Sequence, residues 1–257
     1  MRVCNRSPTN AHTVCVPSAD GGRNKYYRIT SAKMPFVGIF AVVPIQIRDG
    51  AKNGLKLNAP GDKMKQSDVI KSIGYDQQEI INNILDLYNS GNPIDFDPCY
   101  NVGGFYRNNV VKRPEIISDI NPQLPGVKKY DVRELPFNEA FSCIIFDPPF
   151  IVSGGNCKMA KLYGSFSKVD ELRLFYKQSF ISLQRALKRK GILIVKCQDF
   201  VNGRKNYIFV NEIISLARDM NFKVLDLFIL LSKTRPIKIT SQQHARKYHS
   251  YFLVLKK

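Results

Sequence analysis

Asp147-Pro148-Pro149-Phe150 is the part of this sequence whose residue types point most directly to chemistry. Two successive prolines fix φ and remove two N–H donors. What remains is a stiff rim of carbonyl acceptors beside one carboxylate and one aromatic ring. Such a set can grip a flat group that carries an exocyclic NH2. The Asp147 carboxylate and the Pro148 carbonyl would each accept one N–H, while Phe150 stacks on the ring face and Pro149 holds the bend. An ordinary strand exit also uses Pro and Asp. Here, however, the tetrapeptide follows Phe141–Phe146 (FSCIIF), a wholly apolar run of the kind that forms a central parallel strand. Ligands of open α/β sheets bind at the carboxyl ends of such strands.

A second group of residues lies upstream, in Ile94–Phe105 (IDFDPCYNVGGF). A glycine in the turn after a strand lets a ligand approach the backbone, and an acid at the strand end can hold an ammonium group. Gly103 and Asp97 fill those positions. Asp119 follows 22 residues later, near the spacing of about 20 at which a carboxylate meets ribose hydroxyls. Asp131 could likewise reach an adenine edge. Each acid alone reads as a solvated turn residue; together, ahead of the Asp147 turn, they favour a nucleoside cofactor. No P-loop is present, so a triphosphate is not indicated.

The elements that must position these residues follow from periodicity. Gln77 to Asn89 reads as a helix capped by Asp76, with Glu79 at the capping-box position and Ile80, Ile81, Ile84, Leu85 and Tyr88 on one face. Ser90-Gly91-Asn92-Pro93 stops it. Strands are expected at Ile94–Asp97, Glu115–Ser118 and Phe141–Phe146. A long helix is expected over about Lys168–Arg189, with Ser167 and Asp170 as a capping box and Lys188-Arg189-Lys190-Gly191 as its close. Gly191–Lys196 reads as a buried strand and Tyr207–Met220 as a helix. Lys223–Leu231 and Ser250–Leu255 have no helix between them and should be antiparallel neighbours. Residues 1–68 show no helical period and read as an irregular extension, with a strand or two between Phe36 and Ile47. Residues 69–257 read as an α/β domain.

Composition bounds the partner. The 257 residues are 44% hydrophobic and 23% charged, which excludes a disordered chain or a fibre. Lys plus Arg is 39 against 21 Asp plus Glu, a net charge of +18 that suggests a polyanionic partner or a basic face. Lys158 and Lys161 lie after the Asp147 turn. Lys233, Arg235, Lys238, Arg246 and Lys247 occupy a stretch from Ser232 to His249 that holds no acid. These cations could form a solvated face or a phosphate-contacting groove, and the groove predicts steep loss of affinity with salt. His244 and His249 read as surface or strand-end residues. Lys196-Cys197-Gln198-Asp199 could line a target pocket or pack at the core edge. The six cysteines form no C-x-x-C pair, so neither a disulfide framework nor a metal site is expected and a reducing, cytoplasmic compartment is favoured. The apolar run Met34–Ile47 is shorter than the roughly 20 residues of a membrane span and contains Pro35 and Pro44. The start does not resemble a secretory signal. A soluble protein with no membrane partner is expected.

Over about residues 70–257 the sequence resembles the S-adenosyl-L-methionine-dependent amino-methyltransferases that modify adenine N6, or less often cytosine N4, in nucleic acid. Their Asp/Asn/Ser-Pro-Pro-aromatic turn matches Asp147 to Phe150, and their cofactor strand and loop match Asp97-Pro98-Cys99-Tyr100-Asn101-Val102-Gly103. Their ribose-binding acid matches Asp119. Ser118-Asp119-Ile120-Asn121-Pro122 and Asp131-Val132-Arg133 look like the second and third cofactor loops. Tyr75-Asp76-Gln77-Gln78 looks like the segment beside the methionine end, with Lys71 and Ser72 at its entrance. Gln242 to Ser250 is similar to the closing segment of small phage and bacterial DNA methyltransferases. Asn101 stands where many members have a glycine, and only 12 residues separate Asp119 from Asp131, so a loop should replace the usual crossover helix. The resemblance implies a Rossmann-like class I methyltransferase fold: a mostly parallel seven-stranded sheet, an antiparallel last strand and helices on both faces. It also implies methyl transfer from S-adenosyl-L-methionine to a nucleobase amine, with adenine N6 in DNA favoured over RNA. A protein amide or lysine methyltransferase and a non-catalytic nucleic-acid-binding module remain open alternatives.

Overall fold

The computed structural model describes residues 2–6, 11–16, 25–30, 42–44, 69–153, 164–233 and 242–257. The chain divides into two compact units, Met1–Met64 and Lys65–Lys257.

The first unit corrects one expectation. In place of an irregular extension it contains four strands, β1 (Arg2–Arg6), β2 (Ala11–Val16), β3 (Lys25–Thr30) and β4 (Val42–Pro44). They pair antiparallel in the order β1-β2-β3-β4, with Arg2 opposite Cys15, Ala11 opposite Thr30 and Arg28 opposite Val43. Only β4 lies in the window Phe36 to Ile47. The missed strands are short runs rich in β-branched and aromatic residues, which suit a pleated surface without any helical period. Pro44 ends the edge strand β4, the setting in which sheets tolerate proline.

The second unit holds, in chain order, β5 (Ile73–Gly74), α1 (Gln77–Tyr88), β6 (Phe96–Asp97), β7 (Ile116–Asp119), β8 (Lys128–Lys129), β9 (Phe141–Phe146), α2 (Val169–Ala186), β10 (Leu187–Cys197), β11 (Phe200–Asn202), β12 (Lys205–Tyr207), α3 (Phe209–Asp219), β13 (Lys223–Leu231) and β14 (His249–Lys256). Eight of these strands form one sheet in the order β5-β13-β14-β10-β9-β6-β7-β8. β14 runs antiparallel to both β10 and β13, and the other pairings are parallel. The Rossmann-like arrangement is therefore present with one addition. The short edge strand β5 beside β13 makes eight strands where seven were expected.

β9 shows why helices cover both faces. Alternate side chains of a strand point to opposite sides. Cys143 and Ile145 pack with Ile80, Ile81, Ile84 and Leu85 of α1, whereas Ile144 and Phe146 pack with Leu172, Tyr176, Phe180 and Leu183 of α2 and with Phe209 and Ile213 of α3. All four β9 residues are fully buried. Asp76 caps α1, its carboxylate accepting the Gln78 amide at 2.8 Å.

Several local expectations shift. β6 and β7 begin later than expected, at Phe96 and Ile116. Ser167 meets Glu171 instead of Asp170: its amide and hydroxyl donate to Glu171 Oε2 at 3.1 and 2.8 Å, while Asp170 pairs with Arg173 at 2.8 Å. α2 stops at Ala186 because buried Leu187 already pairs with Phe141 of β9. The cations expected to close that helix fall in a β10 irregularity between Leu187 and Ile192, where Lys190 has φ 65°. No helix lies between β7 and β8, so the short connection is a loop, as its length implies.

From β6 the chain winds outward through β7 and β8; from β9 it winds the other way through β10. The reversal lies between β6 and β9. Asp97 ends the first of these strands and Asp147 follows the second, so the two acids flank the crevice where open sheets take ligands.

Candidate active site

Pro148 after β9 is buried, and Asp147, Pro149 and Phe150 are half-buried. The chain returns past this turn as a bridge between Val152 and Phe166, where the Phe166 amide donates to the Ile151 carbonyl at 2.8 Å. Gly164 packs beside the Pro149 ring with φ 82°, a left-handed conformation that favours glycine. Asn202, at the β11–β12 tip, donates to the Val152 carbonyl at 3.0 Å and braces the same segment.

Asp147 Oδ2 pairs with Lys196 Nζ at 3.1 Å, with the two side chains 25% and 15% exposed. The ammonium also lies 4.9 Å from the Phe105 ring centroid and 5.7 Å from that of Phe252. A carboxylate and two π-faces thus hold the Lys196 cation in place. Among the described residues Asp147 Oδ1 has no partner, so one oxygen stays available to accept an N–H. Lys196 lies 49 residues from Asp147 in sequence. The parallel register, which sets Val195 opposite Phe146, brings the two together. Phe150, Lys196, Gln198, Lys233, His249 and Gly104 line a cavity of about 550 Å³ that also borders Tyr75 to Gln78.

The loop after β6 is built around Asp97. The Asp97 carboxylate is 1% exposed and accepts the Cys99 amide at 3.0 Å and the Tyr106 hydroxyl at 2.8 Å. Burial pushes its carboxyl up to about 7; the two hydrogen bonds oppose that rise, and the charges of Asp147 and Asp119 add to it. Tyr100 stacks on Tyr106 at 5.6 Å and lies over Gly103. A Cβ at Gly103 would stand 2.4 Å from the Tyr100 hydroxyl, and φ there is 70°, so only glycine fits. Asn101 has φ 49°, a left-handed value that asparagine tolerates better than most residues, which explains how it replaces a glycine.

Asp119, at the end of β7, accepts the Asn101 amide at 2.9 Å and the Asn121 amide at 2.9 Å, tying the first loop to the second. Ile120 beside it is 56% exposed. Asp131 accepts the Arg133 amide at 2.9 Å and grips the Arg133 guanidinium, which holds its carboxyl below the usual range. Val132 is buried. Cys99 reports on the whole group. Burial lifts its thiol well above the usual value, and Asp97, Asp119, Asp147 and Asp131 each lift it further. All four acids stand at the carboxyl ends of the neighbouring strands β9, β6, β7 and β8.

The remaining candidates are distributed differently. Lys71 and Ser72 are exposed; the Ser72 carbonyl accepts the Ile229 amide at 2.7 Å beside β5, and neither residue borders the cavity. Lys233 borders the cavity, Arg246 is exposed and Lys247 is half-buried. Lys158, Lys161, Arg235 and Lys238 lie outside the described residues. Pro98 is buried behind Asp97. Sequence reasoning missed the Tyr106 brace and the role of Gln78, whose amide donates to the Phe105 carbonyl at 2.8 Å and the Arg107 carbonyl at 2.5 Å. Among the described residues no group of three His, Cys, Asp or Glu could hold a metal ion, and no helix is long and apolar enough to cross a membrane.

No family model and no curated protein matches the chain. Several solved structures do. A Thermus thermophilus protein provisionally named a DNA modification methylase, complexed with S-adenosyl-L-methionine, is 18% identical over 49% of this chain and 53% of its own, with a TM-score of 0.36. The chain thus spans about half the length of that protein. A Burkholderia thailandensis 1,6-didemethyltoxoflavin-N1-methyltransferase with bound S-adenosylhomocysteine is 13% identical over 70% of this chain and 77% of its own, with a TM-score of 0.44. TrmN from Thermus thermophilus is 13% identical over 72% and 50%, with a TM-score of 0.41.

Proposed function

We propose that residues 69–257 transfer a methyl group from S-adenosyl-L-methionine to the exocyclic amino group of a nucleobase, adenine N6 of DNA before other targets. The observation that carries this reading is the placement of Asp97, Asp119, Asp131 and Asp147 at the carboxyl ends of four neighbouring strands that include the sheet's reversal point, with a cavity bordered by Phe150 on the same domain. A cluster of carboxylates suits a ligand that carries a sulfonium and an ammonium charge. Its members also differ in state, as the parts of such a ligand require. Asp119 is partly exposed and can accept ribose hydroxyls. Exposed Ile120 offers an apolar face to adenine, while Asp131 and the Val132 backbone offer its edge partners. Asp97 through Tyr100, with Gly103, shape the loop for the methionine end.

When bound, the cofactor supplies an electrophilic methyl group. The chain's own residues handle the target. Phe150 stacks on the base, a contact of about 1–3 kcal/mol by analogy with single-strand binding. Asp147 Oδ1 and the Pro148 carbonyl accept the two N–H bonds, pulling the amino nitrogen toward tetrahedral geometry and localising its lone pair. Lys196 fixes the Asp147 carboxylate while this happens. Alignment of this kind supplies much of a two-reactant rate enhancement. Lys233, Arg246 and Lys247, with Lys158, Lys161, Arg235 and Lys238, would contact phosphates. A duplex target would need its base flipped out, at a few kcal/mol.

The test is incubation with labelled cofactor and separate pools of DNA and RNA, with the modified nucleoside identified by mass spectrometry. N6-methyl-2′-deoxyadenosine from DNA supports the reading, and label confined to RNA moves it to the other polymer. N4-methylcytosine changes the target base. Label in neither pool refutes a nucleic-acid substrate.

A further inference from the structure

His249, the first residue of β14, borders the cavity with Phe150 and Lys196. Its Nε2 lies 2.8 Å from the Tyr251 hydroxyl. Tyr251 in turn donates to Asp199 Oδ2 at 3.0 Å, and Asp199, 5% exposed, also accepts the Val210 amide at 3.1 Å. A carboxylate only accepts and a hydroxyl has one proton. Once Tyr251 gives that proton to Asp199, its oxygen must accept from His249. His249 Nε2 therefore carries hydrogen, and Nδ1 carries the lone pair. Among the described residues Nδ1 has no hydrogen-bond partner. Burial and the Asp199 charge push Tyr251 up to about 12, so near neutral pH it keeps the proton it donates. The ring stands edge-on to Tyr251 at 5.0 Å, and Gln198 anchors the His249 backbone by donating to its carbonyl at 3.0 Å.

Resting on the amino-methyl-transfer reading, we propose that His249 Nδ1 takes the proton released by the target nitrogen, with Tyr251 and Asp199 as the positioning residues that hold its tautomer. A methylated amino nitrogen carries one proton too many. That proton leaves the nitrogen and binds Nδ1, and the imidazolium so formed is stabilised through Tyr251 toward the Asp199 carboxylate. Asp147 keeps its own part, accepting the amino N–H with Oδ1 while Lys196 holds Oδ2.

Two measurements test the proposal. In the intact chain, 15N–1H correlation NMR of the imidazole should show the Nε2–H tautomer for His249, and Tyr251→Phe should allow both tautomers. An Nδ1–H tautomer in the wild type overturns the proposal whatever the activity. In methyl transfer, His249→Gln should lower kcat by about 10²–10⁴-fold, the usual reach of a general base, with cofactor affinity unchanged; wild-type turnover in that variant overturns the role. Tyr251→Phe should lower kcat and leave KM for the nucleic acid in place. A wild-type chain inactive on both DNA and RNA but holding the Nε2–H tautomer would sink the methyl-transfer reading and the proton transfer with it. An active chain with an indifferent His249 would sink only the proton transfer.

Discussion

Replacing Asp97 by Asn should change how stability depends on pH, by an amount the structure sets. The Asp97 carboxyl titrates near 3.8 when exposed and near 7 when folded, chiefly because it is buried. A carboxyl whose pKa is raised on folding favours the protonated native state. Its contribution is full below about pH 4 and is lost as pH rises through about 7. At about 1.4 kcal/mol per pH unit, the loss is about 4 kcal/mol in total. The asparagine side chain cannot ionise, yet its oxygen can still accept from Tyr106 or Cys99. Urea denaturation of both proteins at steps from pH 4 to 8 gives the comparison. The wild type should lose stability relative to Asp97→Asn by about 1.4 kcal/mol per pH unit between the two pKa values and level off above the higher one. The subtraction removes every other titrating group. Parallel stability curves would refute the reasoning, because the carboxylate would then find in the fold a setting as favourable as water.

Other outcomes follow from the same geometry. Asp147→Ala should cut methyl transfer about 10²–10³-fold, the usual cost of removing one preorganised hydrogen-bonding group, while leaving cofactor affinity, measured by calorimetry, close to wild type. Asp119→Ala should do the reverse, weakening cofactor affinity by at least about tenfold in the same assay, since charge-assisted hydrogen bonds of about 1.5–3 kcal/mol are lost. Phe180→Ala should cost about 3–5 kcal/mol in denaturant unfolding, because the ring is fully buried against Phe146, Tyr176 and Phe222.

The parts of the fold legible in the sequence are those where one local signal suffices. FSCIIF reads as a strand covered on both sides, its β-branched and aromatic residues bounded by prolines, and Asp76 with Ile80, Ile81 and Ile84 marks both the start and the buried face of α1. The absence of a helical pattern between Lys223 and Leu255 foretells the reversed β14. The illegible parts depend on register or on choices between near-equal neighbours. Lys196 meets Asp147 only because adjacent strands bring them level, and nothing local says which cation will do so. Ser167 meets Glu171 instead of Asp170, a difference of one position in the first turn. The Tyr106 brace depends on a kinked 3-10 stretch, Gly104–Asn109, whose left-handed Asn108 no periodicity predicts. One missed signal was available. His249 and Tyr251 stand two apart on a strand, so they share a face and can touch.

The reversed direction of β14 has an architectural consequence. A parallel strand delivers only its last residues to the ligand side of the sheet, but β14 delivers its first, His249, where β13 delivers its last, Leu231. These two residues are direct partners, so the intervening stretch is anchored like a handle at both ends of one rung. Lengthening such a handle costs only about 0.6 kcal/mol per doubling. Insertions between Leu231 and His249 should therefore leave the strand order of the sheet unchanged.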